Sequence, residues 1–204
     1  MKHLISIIFL TLSAFSVSDA LARAPHEIAG FVLGKNISEY RDKLKMDTVL
    51  PVRHAEFLKE VEIEPIPGFK SGVIVYGDCA APGKILRIKL KYADPSKDFY
   101  QKLLEKFKSR FGKPDRWRGD PFHVVLAWKW SFTDEEGNRI GMILQHNSED
   151  SSQKMGNAIK LQMYNLEEEE LECFESKNPS ESKPDMEHVH TIENPADWSG
   201  LVPR

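Results

Sequence analysis

His188 and His190 stand two residues apart, with Glu187 and Glu193 close by, and alternate residues of an extended chain project to one side. That spacing suits a surface zinc or copper site. The surrounding segment, 176–198, is rich in Pro, Ser, Asn and Glu and poor in apolar residues. Such a composition stays disordered, so no metal is expected there. His26, His54, His123 and His146 show no spacing that would join them as ligands. There is no Gly-x-Ser-x-Gly elbow, and Gly68, Gly72 and Gly77 stand singly, so neither a serine nucleophile nor a phosphate-cradling loop is indicated. No cofactor and no catalytic group are expected.

Binding chemistry is better represented. Arg87, Lys89 and Lys91 alternate with apolar residues, which predicts three cations on one face of a strand. Trp117 lies between Arg116 and Arg118 in a stretch without periodicity, and an aromatic flanked by arginines is typical of binding surfaces. From Lys84 to Arg118 there are 12 basic and 4 acidic residues; from Asn165 to Trp198 there are 11 acidic and 2 basic. The expectation is a positive patch of Arg87, Lys89, Lys91, Arg116, Trp117 and Arg118 that receives an acidic partner, with Glu167 to Glu175 as its nearest counter-charge. A second reading has Trp128 and Trp130, with Asp115, Asp120 and Asp134, lining a cleft for a small ligand or carbohydrate, or the site of a hydrolase. Tryptophans with apolar neighbours on one strand face are more often core.

The ends bear on compartment. Lys2 and His3, an apolar run from Leu4 to Val17, and Ala20-Leu21-Ala22 read as a secretory signal cleaved after residue 22, too short an apolar stretch to cross a bilayer. Residues 199–204 end in Leu-Val-Pro-Arg, a thrombin recognition sequence, and are read as a cloning remnant. Residues 23–175 are expected to form one domain, periplasmic or secreted, without stable membrane insertion, followed by the acidic tail 176–198. Export to an oxidising compartment favours a disulfide between the two cysteines, Cys79 and Cys173. The chain carries a formal net charge of −3, which argues against nucleic acid as partner.

These residues must be positioned by a sheet and helices. Ser38 is expected to cap a helix over 39–46 with Tyr40 and Leu44 on its buried face, stopped before Pro51, with a short turn over 54–59. Residues 61–66, 71–76 and 84–92 have strand composition, separated by Pro-Gly turns. In the third, Leu86, Ile88, Leu90 and Tyr92 form the apolar side. Asp94-Pro95-Ser96 opens a helix that ends at Gly112, with Phe99, Leu103, Phe107 and Phe111 along one stripe. Alternation returns over 124–132, a hairpin loop spans 134–138, and strands follow over 139–146 and 158–164. Residues 167–174 are an acidic helix or an extended edge. The fold class predicted is α+β: an antiparallel sheet of about six strands with helices packed on one face, arranged as two α-β-β-β units.

Phe31-Val32-Leu33-Gly34, leading into a short helix and an antiparallel sheet, resembles the small periplasmic modules of the BamE and SmpA type and their tandem form in the β-lactamase inhibitor proteins. The resemblance covers only the order of elements, and no lipid-bearing cysteine is present. Those families bind other proteins through an exposed sheet face or loops and do no chemistry, and the resemblance implies architecture alone. The partner expected from the charge layout is another periplasmic or envelope protein, or an anionic ligand.

Overall fold

The computed structural model describes residues 24–148 and 156–179 of the 204-residue chain. The expected export segment 1–22, most of the expected tail including His188 and His190, and residues 199–204 lie outside the described residues.

Strands β1 (Glu27–Ile28) and β2 (Phe31–Val32) make a small ribbon, and a 3₁₀ segment (Ile37–Lys43) follows. Four strands come next: β3 (Leu44–Val52), β4 (Ala55–Ile63), β5 (Phe69–Gly77) and β6 (Ile85–Tyr92). Helix α1 (Lys97–Phe111) leads to β7 (Arg116–Trp117), β8 (Val125–Thr133), β9 (Arg139–Asn147) and β10 (Asn157–Met163), and α2 (Tyr164–Lys177) closes the order. One eight-stranded antiparallel sheet runs β3-β4-β5-β6-β10-β9-β8-β7.

This corrects the expectation of about six strands. The segment expected to be a helix over 39–46 is a 3₁₀ turn capped by Asn36, whose side chain accepts the Ser38 N–H, and Leu44 already begins β3. Pro51 does not exclude a strand because β3 is a sheet edge, where an amide facing outward has no ladder partner to lose. An irregularity between Lys45 and Leu50 breaks the register with β4. Thr48 fills the gap: its hydroxyl donates to the Lys45 carbonyl at 2.7 Å and accepts the Glu62 N–H at 3.0 Å. At the opposite edge, Arg116 and Trp117 pair with Lys129 and Trp128, so a presumed loop is a short strand.

The helices do not share a face, which is the second correction. Trp130 of β8 packs against Phe107 of α1, whereas its neighbour Lys129 lies over the ring of Tyr164 of α2. Successive strand residues point to opposite sides, so α1 and α2 cover opposite faces. The larger core lies on the α1 side and includes Phe31, Ile74, Ile88, Leu90, Tyr100, Trp130, Leu144, Ile159 and Leu161. Ser96 caps α1 by accepting the Phe99 N–H at 3.2 Å, and Gly112 ends it with φ of 77°. The α2 side has a smaller cluster, Leu58, Val75 and Leu86, with Leu166 against it. Leu86 was expected beside Ile88 and Leu90. A register shift pairs Tyr76 with Ile85 but Val75 with Arg87, and this bulge turns Leu86 to the other face.

The two halves are laid out alike, each a helical segment followed by four strands and not the three expected. Their last strands, β6 and β10, pair antiparallel at the middle of the sheet. There Ile88-Lys89-Leu90 faces Ile159-Lys160-Leu161, with Lys89 directly opposite Lys160.

Candidate functional site

The register draws a row across the α2 face. Glu62 pairs with Val73, Val73 with Lys89, Lys89 with Lys160, Lys160 with Ile143, Ile143 with Lys129, and Lys129 with Arg116. Directly opposed residues on one face have Cβ atoms about 4.5–5.5 Å apart, so four cations and one isoleucine span neighbouring strands. Like charges directly opposite destabilise a sheet, and Lys89 and Lys160 are such a pair. Two residues further along each strand, on the same face, Ser71 pairs with Lys91, Lys91 with Ala158, and Ala158 with Gln145.

Partial burial sharpens the effect. The Lys160 ammonium has its pKa lowered to about 8, first by loss of water around it and then by the positive charges of Arg87 and Lys89. Lys89 is shifted downward for the same reasons, desolvation first and Arg87 second. The acid that most opposes these shifts at Lys160 is Glu167. Its carboxylate is already engaged, by the Arg87 guanidinium at 2.5 Å and by the Gln162 amide. Among the described residues, Lys89 and Lys160 have neither ion pair nor side-chain hydrogen bond.

Beside the two lysines the sheet face forms a groove of about 490 Å³. Val73, Ile143 and Ala158 supply aliphatic lining, Ser71 and Gln145 polar groups, and Lys89, Lys91 and Lys160 the positive charge, with Glu60 as the acid. The other end of this face is closed by α2, which is fixed at several points. Cys79 and Cys173 form a disulfide with Cα atoms 5.8 Å apart. Glu170, 1 % exposed, accepts the backbone N–H groups of Asp78 (3.0 Å), Cys79 (2.6 Å) and Ala81 (2.6 Å). Glu168 pairs with Arg139 at the surface.

The expected patch is thus partly reassembled. Arg87, Lys89 and Lys91 share the face as the alternation required, but Arg87 is committed to Glu167. Arg116 joins the row through Lys129, and Arg118, exposed, lies two residues on, its N–H donating to the Ala127 carbonyl at 2.8 Å. Trp117 points to the opposite side: it meets Trp128 edge to face at 4.9 Å and lies 5.8 Å from the ring of His123. Lys129 and Lys160 were missed. The strand Asn157–Met163 is buried at every position except Lys160, so no alternation advertised that lysine; the repeated Ile-Lys-Leu was the available signal.

The residues considered for a tryptophan cleft are engaged elsewhere. Trp130 is 1 % exposed and its indole N–H donates to the Gly112 carbonyl at 2.9 Å. Asp115 accepts the Ser131 N–H, Asp120 closes its own loop by accepting the N–H groups of Phe122 and Val125, and Asp134 accepts from Asn138 and lies 3.3 Å from His26. Among the described residues there is no group of three or more His, Cys, Asp or Glu side chains able to hold a metal, and no helix long and apolar enough to cross a membrane.

Comparison with protein-family models, with curated proteins and with solved structures returns no match.

Proposed function

We propose that this chain is a non-catalytic interaction module of the cell envelope or its exterior, whose open sheet face receives the acidic surface of another protein. The observation that carries this reading is the row Lys89, Lys160, Lys129 and Arg116 across one sheet face, interrupted only by Ile143 between Lys160 and Lys129, with the nearby helical acid Glu167 held by Arg87. Cations aligned this closely repel one another, and an acidic partner relieves that repulsion while the rigid sheet fixes the spacing of the charges. A disulfide between residues 94 apart in sequence suits an oxidising compartment, in keeping with the export signal read at the amino terminus.

The test uses a glutamate-rich peptide and two triple variants. Neutralising Lys89, Lys129 and Lys160 to Gln is expected to weaken peptide binding about tenfold or more, since each charged contact contributes on the order of a kcal/mol. Neutralising Lys102, Lys106 and Arg110, three exposed cations of α1, is expected to leave it unchanged. Equal losses in both variants would reduce the binding to net charge and remove the reading.

A further inference from the structure

We propose that the groove at the centre of the sheet is a site for a small organic anion with an apolar body, a carboxylate head on an aliphatic chain, seated with its head between Lys89 and Lys160. This rests on the reading of the α2 face as a receptor for anions, and adds a ligand that the row alone does not specify. Three observations converge. The two lysines are paired across the β6–β10 seam, so their ammonium groups can share the two oxygens of one carboxylate. The groove's lining beside them is aliphatic, from Val73, Ile143 and Ala158, which a fully polar ligand such as an inorganic anion would leave uncovered. Its volume of about 490 Å³ lies within the roughly 300–1,000 Å³ of small-molecule sites.

The polar complement fits a single anionic head. Gln145 and Ser71 offer hydrogen bonds at the groove wall, and Lys91 adds a further positive charge. Glu60 on the wall excludes a ligand with a second anion at that end. Both lysines lose water in the folded protein, and a bound carboxylate would offset that loss for each. A second cavity, lined by Phe69, Phe107, Phe111 and Met142 under α1 with Lys106 and Arg110 near it, is the internal competitor for the same chemistry.

The test titrates the whole isotopically labelled chain with decanoate, decanol and phosphatidylglycerol vesicles, following backbone amides. Decanoate is expected to shift Lys89, Ile143, Ala158 and Lys160 with saturation, and to bind at least tenfold more tightly than decanol. Lys160→Gln and Lys89→Gln should each weaken decanoate about tenfold while leaving decanol unchanged, and Lys160→Arg should retain most of the affinity. Shifts confined to Phe107 and Phe111, equal affinity for decanol, or indifference to Lys160→Gln would each overturn the proposal. Binding to vesicles but not to monomeric decanoate would overturn it in favour of a membrane surface. Loss of decanoate binding with glutamate-peptide binding intact would remove this site and leave the proposed function standing.

Discussion

Glu170 belongs to a run of four glutamates that reads as a solvated helix face, yet it is among the most buried polar residues of the domain. Three backbone N–H groups of the loop after β5 converge on its carboxylate, which offsets the cost of taking a charge out of water. Glu170→Gln keeps the volume but turns an NH₂ group toward amide donors, and is expected to lower stability by about 1–3 kcal/mol in urea melts. Gly77→Ala should cost at least as much, because a Cβ there would overlap the same carboxylate. Lys160 makes a pH-dependent prediction. Its pKa is about 8 in the folded protein against an ordinary 10.5, so between those values the unfolded chain holds a proton that the folded one has released. Stability contributed at this site therefore rises with pH from about 8 to 10.5, by on the order of 1 kcal/mol once discounted for the amine's access to water. Burial raises Tyr92 and Tyr100 to about 12, and these phenols work oppositely, with stability falling from pH 10 to 12. Urea midpoints at pH 7.5 and 9.5 should show the rise in the wild type and a smaller one in Lys160→Gln, where the likewise lowered Lys89 still contributes.

At the scale of elements, the segments legible in the sequence were those whose local signals agree. β6 alternates, β8 and β9 flank a polar hairpin loop, and α1 carries both its Ser96 cap and its terminal Gly112. The elements that escaped are decided by tertiary contacts. β3 contains Asp47, Thr48 and Pro51, and holds only because it is an edge whose broken register is bridged by the Thr48 hydroxyl. β7 is two residues long, and its pairing turns Trp117 inward although its flanking arginines suggested exposure. The disulfide is legible only through the expected oxidising compartment, and Cys79 and Cys173 are joined, tying the loop after β5 to α2. In the chain-entropy account a loop of this length contributes about 4 to 5 kcal/mol, with strain and residual unfolded structure reducing it. A Cys79→Ser, Cys173→Ser variant is expected to lose about 2–4 kcal/mol in urea titration, without loss of the β-sheet signal. Because α2 retains Glu170 and the Glu167–Arg87 pair, the helix should stay docked and exchange its amide hydrogens faster.

Across the whole molecule, two helix-and-four-strand halves meet at β6 and β10, and the Lys89–Lys160 pair lies at that seam. The split of charge along the sequence is realised only in part as the sequence suggested: Glu167 of the acidic segment meets Arg87 of the basic one, while the row from Lys89 to Arg116 stays outside that contact. Exposed charges are screened over about 8 Å at physiological salt, so an acidic partner should bind the outer cations Lys129 and Arg116 less well as ionic strength rises. Whether the sheet face receives an acidic partner is decided by titrating the labelled protein with a glutamate-rich peptide at low and physiological salt, read amide by amide. Saturable shifts are expected on Arg116, Lys129, Ile143, Lys160 and Lys89, weaker at the higher salt. Shifts that gather on α1, or a sheet face unmoved by the peptide at low salt, would contradict it.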